Sequence, residues 1–181
     1  MATDAIIKNK IRTVADYPQK GIMYRDITTL LKDQNGFTLM VDELKNHCVE
    51  NNTQYDIIAG IEARGFIIGS ALAHALSSGF VPIRKPGKLP ALTIAQEYTL
   101  EYGSDTLEMH TDAIEKDMRV LLVDDLLATG GTMQAGADLI QTMGGIVTEV
   151  LCVIDLPDLG GSTRLKENGI NVFSLTSYQG K

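Results

Sequence analysis

VLLVDDLLATGGT, residues 120–132, is the stretch on which the fold turns. Val120, Leu121, Leu122 and Val123 are consecutive aliphatic residues bounded by Arg119 and Asp124. An apolar run without polar alternation suits a strand covered on both faces. Asp124 and Asp125 follow where that strand should end, and Ala128, Thr129, Gly130, Gly131 and Thr132 come next. The glycines let the backbone turn sharply and approach a ligand. The segment 132–143, closed by Gly144 and Gly145, then predicts a helix that this loop opens. Its first N–H groups have no intrahelical acceptor and lie at the positive end of the helix dipole, a place suited to a phosphate. Two adjacent carboxylates repel each other unless something offsets their charge, and ribose hydroxyls are suitable donors. A helix cap alone would explain the threonines, and a metal pocket alone the aspartates. Together at one strand end they predict a sugar-phosphate site.

The same alternation runs outward in both directions. Residues 57–60 and 80–84 are short strand candidates, with an alanine-rich helix over 66–76 between them. Strands are predicted at 147–154 and 172–175, with a short helix at 161–168. Phe37, Met40, Val41, Leu44 and Cys48 have the spacing of an amphipathic helix, and residues 3–14 carry Ile6, Ile7, Ile11 and Val14 at rough helical spacing. Strands alternating with helices imply right-handed crossovers, a mainly parallel sheet, and a ligand at the strands' carboxyl ends. Residues 61–65, 84–88, 124–132 and 155–158 therefore matter most for function. Two stretches break the alternation: 15–25, and 85–104 with its β-like middle. Excursions of this kind serve as lids or specificity elements.

Composition narrows the function. The 181 residues fit one domain, and 44% hydrophobic with 22% charged residues is an ordinary balance for a soluble protein. No apolar run reaches the ~18 residues of a membrane span, and the start lacks a secretory signal, so a cytoplasmic protein is expected. Cys48 and Cys152 lack metal-ligand spacing and read as packed free thiols. A formal net charge of −7 disfavours nucleic acid as a partner but leaves anionic small ligands open.

At this point the chain resembles the type I phosphoribosyltransferases, and among them it looks most like the adenine-specific family. The matching pieces are YPQKGIMYRDIT (17–28), YDIIAGIEARGF (55–66), IRKPGKLP (83–90), YTLEYGSDTLEMH (98–110) and VLLVDDLLATGGT (120–132), in the same order. The resemblance implies a single α/β domain over 1–181, with a mainly parallel central sheet flanked by helices. It adds a small N-terminal hood at about 1–32 and a flexible β-lid at about 85–108. It implies adenine and 5-phosphoribosyl 1-pyrophosphate as substrates, AMP and pyrophosphate as products, and a homodimer. Mg2+ is the implied cofactor, held mainly by the substrate rather than by protein ligands.

The resemblance also distributes roles. Glu62, Ala63 and Arg64 form a pyrophosphate loop with a non-proline cis peptide at Glu62–Ala63. Arg84, Lys85 and Lys88 neutralise pyrophosphate, Asp124 and Asp125 hold the ribose, and residues 128–132 hold the 5′-phosphate. Glu101 handles the purine proton in the lid, with Tyr102 beside it. Met23, Arg25 and Leu126 frame the base. Two alternatives stay open: a phosphoribosyltransferase for a 6-oxo purine, and a non-catalytic regulator that senses the sugar pyrophosphate.

Overall fold

Residues 120–123 lie at the centre of a parallel sheet with no exposed surface. Val120 and Leu122 belong to the core on one face, Leu121 and Val123 to the core on the other. The computed structural model describes residues 2–99 and 103–180; Glu101 and Tyr102, named above, lie outside the described residues. The chain begins with α1 (Ala2–Lys10), the strands β1 (Arg12–Ala15) and β2 (Met23–Asp26), and the helices α2 (Thr28–Leu31) and α3 (Gln34–Glu50). Next come β3 (Ile57–Ile61), α4 (Arg64–Ala75), β4 (Gly79–Ile83) and the pair β5 (Thr93–Thr99) and β6 (Ser104–His110). The last part is β7 (Arg119–Leu127), α5 (Gly131–Thr142), β8 (Ile146–Asp155), a 3-10 turn (Pro157–Leu159), α6 (Gly161–Glu167) and β9 (Val172–Ser177).

Five strands form the central sheet in the order β4-β3-β7-β8-β9, every neighbouring pair parallel. The chain passes from β3 through α4 to one edge, and from β7 through α5 and α6 to the other. The winding reverses between β3 and β7, and a doubly wound sheet opens its ligand crevice at that point.

Each face is closed by a separate apolar layer. Ile7 of α1, Met40 and Leu44 of α3, and Ile68 and Leu72 of α4 pack with Leu121, Val123 and Leu151. Leu139 and Ile140 of α5, Leu165 of α6, and Leu107 and Met109 of β6 pack with Leu122, Val150 and Cys152. Removal from water contributes roughly 1.5–3 kcal/mol for each such large side chain, and this two-sided burial holds the sheet between its helices. At the start of α3, the Asp33 carboxylate accepts the Gly36 N–H at 2.6 Å and satisfies a donor the helix leaves free. Cys48 and Cys152 are free and buried, as expected, and burial pushes the Cys48 thiol up to about 11.

Two antiparallel hairpins stand outside the sheet. β1 pairs with β2, from Arg12 opposite Asp26 to Ala15 opposite Met23. β5 pairs with β6, and reciprocal backbone bonds between Arg84 and Glu108 fasten that hairpin just beyond β4. These are the stretches that broke the alternation. The apolar spacing over 3–14 proves to be two elements. The helix stops at Lys10, the Arg12 N–H is taken by Thr29 Oγ1, and Val14 pairs with Tyr24 in a strand. β7 also runs past Val123, because the ten-residue β8 still offers partners there: Asp124 stands opposite Cys152 within the ladder. The Glu62–Ala63 peptide is cis, as the resemblance implies, and Tyr17–Pro18 is a second cis bond. No helix among the described residues is long and apolar enough to cross a membrane.

Candidate active site

The carboxyl ends of β3 and β7 each run directly into a helix with an open start. α4 begins at Arg64 after Ala63, and α5 begins at Gly131 after Gly130; neither has a side-chain cap. Gly130 holds φ at 81°, in the left-handed region that glycine occupies without penalty. Both helix starts adjoin a polar chamber of about 260 Å³, whose walls include Glu62, Arg64, Lys85, Asp124, Asp125 and the whole 128–132 loop. Two sets of unpartnered N–H groups with two positive dipole ends suit a ligand carrying phosphate at both ends.

Glycines permit this crowding. A Cβ on Gly65 would lie 2.7 Å from the Val123 carbonyl and 3.0 Å from Asp124 Oδ1, so α4 starts pressed against the strand that carries the acidic pair. A Cβ on Gly161 would lie 2.2 Å from the Ala128 carbonyl and 2.7 Å from the Gly130 nitrogen. The Gly161 N–H donates to that carbonyl at 3.0 Å, so the start of α6 braces the loop from behind.

The two aspartates have different partners. Asp125, 3% exposed, accepts Arg64 Nε at 2.5 Å. Asp124 accepts the backbone N–H of Asp125 at 2.8 Å, while burial and the charge of Asp125 push its carboxyl well above the usual carboxylate range. Arg64 answers one member of the pair directly. Asp124 is left as the acceptor for a hydroxyl or cation arriving with a ligand.

The basic residues divide. Lys85 lines the chamber; its ammonium donates to Tyr98 Oη at 2.9 Å and pairs with Asp105. Arg84 and Lys88 line neither this chamber nor its neighbour. They converge on Glu62, with Arg84 at 3.3 Å and Lys88 at 2.8 Å, and the Lys85 N–H donates to the same carboxylate at 3.0 Å. Burial alone would push the Glu62 carboxyl up, but Lys88, the Lys85 N–H and Arg84 together hold it at about 2. Sequence reasoning placed the cations and missed their internal counter-anions.

A second, apolar chamber of about 280 Å³ shares Arg64, Asp125, Leu126, Ala128 and Thr129 with the first. Met23, 39% exposed, and Arg25 reach it from β2. Ile22 and Tyr24, from the 22–25 segment that the resemblance assigns to the hood, also line it, and Leu156 and Leu159, not singled out from the sequence, complete its wall. The strand-end rule had marked 155–158 without choosing side chains. Tyr98 was also missed, although it lies in a segment that had been quoted.

Residues 28–175 match the phosphoribosyl transferase domain. An adenine phosphoribosyltransferase of Chlorobium phaeobacteroides is 59% identical over 175 residues, 97% of this chain and 99% of the relative. This chain belongs to the adenine phosphoribosyltransferase family. Among solved structures, the adenine phosphoribosyltransferase of Thermoanaerobacter pseudethanolicus superposes with a TM-score of 0.92 at 46% identity, covering 97% of this chain and all of that one. The Saccharomyces cerevisiae enzyme, solved with an imino-altritol bisphosphate and adenine, gives 0.90 at 34% identity, covering 96% and 98%. Both likenesses cover nearly the whole of this chain.

Proposed function

We propose that this chain transfers the 5-phosphoribosyl group of 5-phosphoribosyl 1-pyrophosphate to N9 of adenine, giving AMP and pyrophosphate in purine salvage. The observation that carries the reading is the pair of joined chambers at the β3–β7 switch point. One is polar and lies between two open helix starts; the other is apolar and roofed by β2. A charged sugar donor and a flat base fit side by side, with the anomeric carbon at the shared wall of Arg64, Asp125 and Leu126.

In this reading the 128–132 loop holds the 5′-phosphate, so binding energy remote from the reacting bond orients the anomeric carbon. Asp124 and Asp125 accept the ribose hydroxyls and offset positive charge that grows on the ring as the C1–O bond breaks. Adenine N9 attacks from the opposite face, inverting that centre. Arg64, at the start of α4, faces the departing pyrophosphate with Lys85, and this fixed arrangement of charge stabilises the transition state. Arg84 and Lys88 join them once the polyanion competes with Glu62. Glu101 handles the proton lost from the purine, and the neighbouring Tyr102 packs beside the substrate or donates a hydrogen bond to it. Met23 and Leu126 hold the base between them, and Arg25 is part of the same wall.

The chamber suits Mg2+ brought in by the donor. Asp124 has no cation bonded to it among the described residues, and no group of three or more metal-ligating side chains occurs among them. Substrate oxygens would therefore complete the shell of an ion that prefers several oxygen ligands. When bound, it neutralises charge on the leaving pyrophosphate. We read the chain as one domain, with a hood at about 1–32 and a lid at about 85–108, acting as a cytoplasmic homodimer. Purified protein given Mg2+, adenine and the donor should form AMP, and sedimentation should give twice the 19.7 kDa chain mass. Conversion of hypoxanthine or guanine in place of adenine would overturn the base assignment.

A further inference from the structure

The hood that roofs the apolar chamber is a two-stranded hairpin of four-residue strands, a unit that does not hold its shape alone in water. Its hold on the body includes a contact far away in sequence. Arg25 of β2 lays its guanidinium over the ring of Tyr178, with Cζ 4.1 Å from the ring centroid. The same guanidinium donates through Nη1 to Thr13 Oγ1 at 2.6 Å, joining β1 to β2 by side chains as well as backbone. Arg25 Nε is buried and has no hydrogen-bond partner among the described residues. An N–H that is buried without an acceptor is costly, and the aromatic face beside the guanidinium offsets part of that cost here.

Tyr178 is itself held. Its N–H donates to the Asp155 carbonyl at 3.1 Å, continuing the β8–β9 ladder, and its hydroxyl reaches the Lys8 carbonyl at 3.4 Å. The backbone bond fixes this residue to the sheet, so its ring offers the hood a surface held from behind, and the long hydroxyl contact adds little to that hold. Arg25 also lines the apolar chamber. A shift of Arg25 therefore moves the wall that the base would meet, while the polar chamber keeps its own supports from α4, α5 and α6.

We propose that Tyr178, near the carboxyl end of the chain, is a positioning residue for the nucleobase: its ring seats Arg25 and so fixes the hood over the apolar chamber. It touches neither chamber and acts through Arg25. The base-binding consequence rests on the function proposed above; the seating of the hood does not.

Two measurements separate these layers. The first is hydrogen exchange of the backbone amides of residues 12–15 and 23–26 in the full-length chain, without substrates. Tyr178→Ala should speed their exchange by about tenfold or more while the central strands 120–123 exchange as before, and Tyr178→Phe should behave like the parent. The second is steady-state kinetics. Tyr178→Ala should raise the KM for adenine by roughly 10-fold, leave the KM for the sugar-pyrophosphate donor within about twofold, and be rescued by Tyr178→Phe. Unchanged hood exchange in Tyr178→Ala, or a Phe variant as damaged as the Ala variant, would overturn the seating role. Altered hood exchange with an unchanged adenine KM, or with both KM values raised alike, would overturn the nucleobase role and leave the seating intact. A parent protein that makes no AMP would refute the enzymatic reading, and with it the nucleobase role, while the exchange arm still decides the seating.

Discussion

Single residues at this site are set against one another in ways that titration and substitution can read. Glu62 is held at about 2, against an ordinary value of 4.5, by the cations around it. A depressed carboxyl contributes stability that is fully present above its unfolded value and is lost as pH falls through the folded one. The stability difference between the parent and Glu62→Gln should therefore shrink as pH is lowered from 4.5 toward about 2, and chemical denaturation across that window measures it. Glycine 161 gives a second case. A Cβ placed 2.2 Å from the Ala128 carbonyl forces the 128–132 loop or α6 to move. Gly161→Ala should cost about 1–3 kcal/mol of stability and raise the KM for the donor more than that for adenine. The sequence showed that Asp124, Asp125 and Arg64 belong together at strand ends. It did not show that Arg64 takes Asp125 and leaves Asp124 without a cation, because side-chain pairing depends on the angle at which α4 leaves β3.

Elements were legible in proportion to their regularity. Buried parallel strands such as β3 and β7 read as unbroken aliphatic runs, and α3 showed a clear period, so these were found from composition and spacing. The hairpins were not. The strands of β1 and β2 are four residues each, and β1 is largely exposed, so no apolar alternation could mark them. The hairpin β5–β6 was half visible as a β-like stretch, but its attachment depends on Arg84 and Glu108, far apart in sequence. That attachment has a side-chain counterpart in the pairing of Lys85 with Asp105 and Tyr98. With Asp105→Asn, Lys85 loses its counter-anion and is freer to meet a polyanion. Product inhibition by pyrophosphate should then strengthen, by roughly three- to tenfold if about 1 kcal/mol of competition is removed. Inhibition constants for pyrophosphate in the two proteins decide it, and an unchanged constant would mean that Lys85 never exchanges partners.

At the scale of the whole molecule, the reversal of winding between β3 and β7 brings the two open helix starts to one crevice. In the proposed function the acidic chain accommodates a polyanion by this local arrangement, despite its formal net charge of −7. Asp124→Asn together with Asp125→Asn removes the pair from the centre of that crevice. The double variant should weaken donor binding by about tenfold or more and leave adenine binding nearly unchanged, which calorimetry with each ligand alone would measure. The topology itself was predictable from the alternation of strands and helices. The joining of a polar and an apolar chamber was not, because the second chamber is closed by β2 from one end of the chain and by Leu156 and Leu159 from the other.

The bracing of the 128–132 loop by Gly161 bears on transplantation. The segment 120–132 looks portable, a strand and a loop that could be spliced into any parallel sheet. Its turn, however, is shaped against the backbone of a helix that starts some thirty residues later, where no side chain fits between them. A graft that carried the motif without a glycine at the start of the following crossover would bring the letters of the loop and lose its curvature. The smallest transferable unit is β7–α5–β8 together with the first turn of α6.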